Sequence, residues 1–141
     1  MQFFIIMPAS PETEAGVMPG TELIQAMGEF NQQLAAAGVL VSGNGLQPTS
    51  RSARVNFSDS GAAIEPGPFT FSPNTIAGYW VWELPSLPAA CDWAAKIPNP
   101  AGAHYSVEIR PIFGPDDFGE ALPPELRQQE ENLRQRLTLR S

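Results

Sequence analysis

The sequence predicts an α+β protein, an antiparallel sheet with helices packed on one face. Short β-rich segments alternate with segments of helical period, in the order β-α-β-β-(β)-β-α-β, followed by a helical tail. Fifteen prolines and twelve glycines among 141 residues demand many turns and short elements. The segment AGYWVWELP, residues 77 to 85, is too apolar to leave a face to water. Both faces of the sheet therefore need cover, and a second copy of the chain, sheet against sheet, is the simplest cover for the face without helices.

QFFIIM, residues 2 to 7, suits a central strand, and PASPETEAGVMPG after it reads as a loop. Leu23, Met27, Phe30 and Leu34 recur at i, i+4, i+7 and i+11. That spacing predicts a helix from about Thr21 to Ala37 with one apolar face, stopped by Gly38. VLVSGNGLQP reads as a strand that breaks at Gly43-Asn44-Gly45. SARVNFS alternates, with Ala53, Val55 and Phe57 on a buried face and Arg54, Asn56 and Ser58 opposite. DSGAA is a turn, and residues 62 to 65 form a short strand before Pro66.

In the aromatic strand, Tyr79, Val81 and Glu83 point one way and Trp80, Trp82 and Leu84 the other. Ser86 is a good N-cap for a second helix with Pro88 in its first turn, running to about Lys96. AHYSVEIRPIF, residues 103 to 113, reads as a last strand with His104, Ser106, Glu108 and Arg110 on one side. After a Pro- and Gly-rich linker, a third helix spans about Glu125 to Leu139. Its stripe of Leu126, Leu133 and Leu137 is thin, so it is expected to pack across the same dimer. The expected division is a domain over 1–114 and a C-terminal linker and helix over 115–141.

The net charge is −7 and only eight residues are Lys or Arg. Nucleic acids and anionic membrane surfaces are poor partners for such a chain. Cys91 and His104 are the only residues of their kinds. That excludes an intramolecular disulfide and a thiolate metal site. Cys91 reads as a small buried hydrophobe. Gly43-x-Gly45 lacks the rest of a phosphate-binding fingerprint. No cofactor and no metal are expected. The N-terminal apolar run has no basic start, and no segment reaches membrane-spanning length. The expected location is the cytoplasm.

Between Glu65 and Glu83 there is no charged residue. Such a stretch suits the wall of a pocket for an apolar or aromatic molecule, or packing against a dimer partner.

AGVLVSGNGLQPTSRSARVNF, GPFTFSPNTIAGYWVWELPSLPAACDWAAKIPNP, VEIRPIF and DDFGEALPPELRQQEENLR together resemble the YCII-related family, most closely its DGPF-type branch. The resemblance implies a ferredoxin-like fold paired into a dimeric α+β barrel with a cleft per subunit. It implies two kinds of function: enzymes using a His/Asp pair, and accessory partners of extracytoplasmic-function sigma factors in bacteria. Related barrels include cofactor-free enzymes acting on polyketides. This chain departs from the branch's pattern. Pro66 replaces the Asp of Asp-Gly-Pro-Phe, and Phe71, Pro73 and Asn74 stand where Glu, Lys and Glu would be. Asn44 replaces the usual Glu of a Gly-Glu-Gly turn, and no His/Asp pair is visible.

Glu108 and Arg110 share a face of a strand read as interior, with Glu83 a candidate neighbour. A buried Glu there is a candidate general acid or base, or half of a structural ion pair. Tyr79 is a candidate donor to a carbonyl or enolate, or a core aromatic. His104 is a candidate acid/base group or a bystander. Asn44 is either a turn residue at positive φ or a ligand donor. Gln47 and Arg54 match the family's Gln-Pro…Arg-Val pattern and could orient a polar end of a ligand. Phe69, Phe71 and Trp82 complete the expected substrate-binding set. The leading expectation is a cofactor-free isomerase, cyclase or lyase acting on a hydrophobic small molecule as a homodimer. The alternative is a non-catalytic dimer that binds a ligand or a regulatory partner.

Overall fold

The computed structural model describes residues 1–100 and 102–140. The chain forms two compact units, Met1–Pro111 and Ile112–Ser141. In the first the order is β1 (Gln2–Pro8), α1 (Pro11–Glu14), α2 (Thr21–Ala36), β2 (Leu40–Gly45), β3 (Ala53–Ser58), β4 (Gly61–Pro66), β5 (Ile76–Glu83), α3 (Leu87–Ala94) and β6 (Glu108–Pro111). The second carries a 3-10 stretch, Pro115–Ala121, and α4, Pro124–Arg140. Within it Arg127 Nη1 donates to Asp116 Oδ1 at 2.7 Å, and Phe113 packs on Phe118.

Four strands make one sheet in the order β2-β5-β1-β6, every neighbouring pair antiparallel. With the β3–β4 hairpin set aside, β1-α2-β2 and β5-α3-β6 are two interleaved βαβ units. This is the ferredoxin-like arrangement, with α2 and α3 as the crossovers. The hairpin is inserted between β2 and β5 and pairs only with itself.

One sheet face and the helices form the core: Phe3 and Ile5 of β1, Trp80 and Trp82 of β5, Phe30 and Leu34 of α2, and Ala90 of α3. Phe30 meets both indoles edge-on, with centroids 5.7 and 6.2 Å away. These are favourable quadrupole geometries for rings that already contribute the largest buried areas. Trp80 Nε1 donates to Asn31 Oδ1 at 2.8 Å, which satisfies the polar tip of a buried ring. The expected α2 face is present, with Phe30 and Leu34 buried and Leu23 and Met27 partly so. Gly38, at φ 73°, ends the helix. Its N–H donates to the Ala35 carbonyl and that of Val39 to the Leu34 carbonyl, a Schellman pair. Ser86 caps α3 by accepting from the Ala89 N–H.

Several expectations are corrected. β2 does not break at Gly43-Asn44-Gly45 but runs through it. Gly43 lies opposite Trp80, and a Cβ there would overlap the indole. The glycine is therefore a packing requirement of the strand, and Asn44 has no positive φ. The last strand is only four residues long and lies at the sheet edge. Its pairing with β1 ends at Ile6 opposite Glu108, and two residues on Pro8 has no N–H to extend the ladder. His104 is exposed outside any strand, just beyond a turn closed by Asn99 and Ala103. The Ala53, Val55 and Phe57 face of β3 is exposed. Cys91 is exposed on α3. The loop read over residues 8 to 20 contains α1, held by a reciprocal Ser10–Thr13 capping box.

Gly43→Ala is expected to lower stability by about 1–3 kcal/mol through overpacking against Trp80. Ser42→Ala, next door on the exposed face, should stay within about 0.5 kcal/mol. Equilibrium urea unfolding monitored by tryptophan fluorescence measures both, and equal effects would refute the packing role.

Candidate functional site

Burying Trp80 and Trp82 sends Tyr79, Val81 and Glu83 to the face of the sheet opposite α2 and α3. The register builds that face in rows. Asn44, Tyr79, Ile6 and Glu108 lie side by side across the four strands. Ser42, Val81, Phe4 and Arg110 form the next row, and Gln2 and Glu83 a third. The centre is apolar and half-buried: Phe4, Ile6, Tyr79 and Val81. Phe4 stacks on Tyr79 with centroids 5.3 Å apart and planes 14° from parallel.

Polar groups flank this centre on both edge strands. Asn44 Nδ2 donates to the Tyr79 hydroxyl oxygen at 3.1 Å. With that oxygen accepting, the phenolic hydrogen is left to donate outward. On the other side, Glu108 and Arg110 approach to 3.9 Å while 63% and 71% exposed. Glu108 stands two strand spacings from Tyr79, about 10 Å, with Ile6 between them. The arrangement presents a hydroxyl donor and a carboxylate at opposite ends of an apolar floor.

The structure thus brings together Tyr79, Asn44, Glu108 and Arg110 and separates the others from them. Glu83 lies four residues along β5 from Tyr79, about 13 Å, and pairs with the Met1 amino group at 3.2 Å. His104 is off the sheet. Trp82 is fully buried on the helix side and belongs to the core, so it cannot wall a site on this face. Neither Glu108 nor Glu83 is buried in the single chain, contrary to the burial expected for an acid/base carboxylate.

The remaining predicted residues lie in the connection from β2 to β5. Arg54 lies with its guanidinium 3.7 Å from the Phe69 ring centroid, and 3.7 Å from the Glu65 carboxylate opposite it on β4. Phe69 is a platform for this cation. Gln47 and Phe71 are exposed.

Glu14 was not anticipated. Its carboxylate accepts from the Thr49 N–H at 3.0 Å and from Thr49 Oγ1 at 2.7 Å. Thr49 Oγ1 in turn accepts from the Phe69 N–H at 3.1 Å. Three segments distant in sequence, α1, the turn at Thr49 and the stretch before β5, are fastened at one hydroxyl. The segment reads as a loop in sequence, and nothing local in it points to a partner 35 residues away. Among the described residues no group of three or more His, Cys, Asp or Glu could hold a metal ion, and no helix is long and apolar enough to cross a membrane.

A family model described as the YCII-related domain matches residues 1–113. No curated protein matches the chain.

Glu14→Ala removes two charge-assisted hydrogen bonds and is expected to cost about 1–3 kcal/mol. Hydrogen exchange at the Thr49 and Phe69 amides should accelerate, while the amides of β1 and β5 remain as slow as in the parent. Unchanged exchange at Thr49 and Phe69 would show that the fastening is not made.

Proposed function

The chain belongs to the YCII-related family, and from that premise we propose that it is a cofactor-independent acid/base enzyme. It acts as a homodimer, on a hydrophobic, aromatic or polyketide-like molecule held against the open sheet face. The observation that carries this is the stacked Phe4–Tyr79 pair, half-buried between polar groups on both edge strands. A sheet face with this much apolar surface needs cover, and a second copy laid over it would bury the floor and enclose a pocket.

In such a pocket the Tyr79 hydroxyl, polarised by the Asn44 amide, donates to a substrate carbonyl. The Glu108 carboxylate takes a proton from a carbon beside that carbonyl, and enolate charge gathers on the oxygen facing Tyr79. Returning the proton to another carbon completes an isomerisation; loss of a leaving group would make the reaction a lyase. Arg110, next to Glu108, balances its charge as the partner covers it. The finer placement in the DGPF-type branch, and a bacterial, cytoplasmic, biosynthetic setting, belong to this proposal. The branch assignment rests on Gly67-Pro68-Phe69 and the Gly43-Asn44-Gly45 segment.

A second reading is a non-catalytic dimer that binds a ligand or a regulatory protein such as an extracytoplasmic-function sigma factor. It is favoured by Glu108 being exposed and already paired with Arg110 rather than held apart as a free base.

Native mass spectrometry before and after incubation with an extract of the source cells tests the pocket. A dimer retaining an organic molecule is expected; a chain that retains nothing would sink it. Tyr79→Phe should weaken 1-acetylnaphthalene by roughly fivefold to tenfold, one hydrogen bond, and leave naphthalene unchanged. Equal effects on both ligands would remove Tyr79 as the donor. With the natural molecule in hand, Glu108→Gln should lower turnover by about a hundredfold or more if the group is the base, and leave binding intact under the second reading.

A further inference from the structure

The β3–β4 hairpin sorts its side chains by polarity. Register places Ala53 opposite Pro66, Val55 opposite Ile64, and Phe57 opposite Ala62. All six are apolar and lie on one face. The other face carries Arg54 opposite Glu65, Asn56 opposite Ala63, and Ser58 opposite Gly61. Such alternation is the mark of a strand pair with one buried face, yet among the described residues this face stays largely exposed. Phe57 is 83% exposed, Ile64 75% and Val55 52%. Those three side chains alone leave roughly 400 Å² of apolar surface open, the size at which a patch marks an interaction site.

We propose that this hairpin is an arm that lies across a second copy of the chain, with Phe57, Ile64 and Val55 seated on that copy. The inference rests on the dimer reading above and adds to it which segment completes the interface. A permanent partner is required, because a two-stranded hairpin with an uncovered apolar face is marginal in water. A second copy is present whenever the chain itself is, and permanent interfaces are the apolar ones. Charge agrees with this. Two chains each carrying −7 repel, so they can meet only where carboxylates are absent or neutralised. The apolar face has none, Glu65 is paired with Arg54 behind it, and the uncharged run from Pro66 to Trp82 follows directly.

Area argues the same way. The floor around Phe4, Ile6, Tyr79 and Val81 is already half-buried within its own chain. Two hairpins related by a twofold axis would add roughly 800 Å², about half of a standard interface of ~1,600 Å². The arm is also placed to reach. Its six-residue strands span about 20 Å, and it leaves the sheet beside Gly45 and Ala77, where the Leu46 N–H donates to the Ala77 carbonyl. Its root is held by the bond from the Gly67 N–H to the Ser52 carbonyl and by the Thr49 fastening.

Sedimentation equilibrium of the full chain, the Phe57→Ser/Ile64→Ser double variant and a Phe4→Asp variant tests the arm. Hydrogen exchange of residues 53 to 66 at high and low protein concentration is measured alongside. The parent is expected to dimerise, and the double variant to weaken dimerisation roughly tenfold or more with unchanged circular dichroism. The hairpin amides should exchange more slowly at high concentration. A dimer with the same Kd in the double variant, and concentration-independent exchange of the hairpin, would overturn the arm. The sheet-face dimer would then still stand, provided Phe4→Asp disrupts it. A parent that is monomeric throughout would overturn both.

Discussion

The fit between Trp80 and Gly43 decides the rest of the sheet unit. β5 is the strand through which β1 and β2 are joined, and it carries two tryptophans two residues apart. Placing both under α2 requires the neighbouring strand to have no side chain at the indole. Gly43 supplies that gap, and the period of two does the remainder. Once Trp80 and Trp82 are down, Tyr79 and Val81 have no choice but the opposite face. Gly43 also fixes Asn44 on the upper face, one strand over, within hydrogen-bonding distance of the Tyr79 hydroxyl. A core packing constraint and the polar group beside the candidate site are therefore the same piece of sequence.

Much of the fold could be read before the structure, because its signals are local. The 3.6 period of Leu23, Met27, Phe30 and Leu34, the Ser86 cap with Pro88 behind it, and the alternation through Tyr79 to Leu84 each follow from a few neighbouring residues. The family resemblance added the sheet topology. What misled were residues whose meaning depends on a distant partner. Gly43-Asn44-Gly45 has the composition of a turn, and only the Trp80 ring 37 positions away makes it a strand. The alternation that continues to His104 overstates the last strand, since β1 has no donor left to pair with it beyond Ile6.

The site was legible in part. Tyr79, Asn44, Glu108 and Arg110 were all picked out, and the register gathers them. Trp82 reads as a pocket wall in sequence, but parity places it with the core. Arg54 and Phe69 were both singled out, but as ligand contacts rather than as a stacked pair. Glu14 was missed altogether, since a carboxylate that serves a threonine across the fold looks in sequence like any acidic residue in a first turn. The β3 face that alternation marks for burial is exposed in the single chain, so the pattern alone does not tell where a strand's cover lies.

The hydrogen bond between Ser52 and Gly67 has a consequence for how the fold tolerates change. It joins the two ends of the fourteen-residue hairpin segment at its root, so that, for the sheet, the connection from β2 to β5 behaves as a much shorter loop with a side branch. The entropy of closing that branch depends only slowly on its length, and it is spent locally, apart from the long-range pairing of β1 with β5. The branch can lengthen, shorten or exchange its apolar tip without altering the register that holds Asn44 beside Tyr79. The hairpin and the strand register are in this sense set by separate stretches of chain.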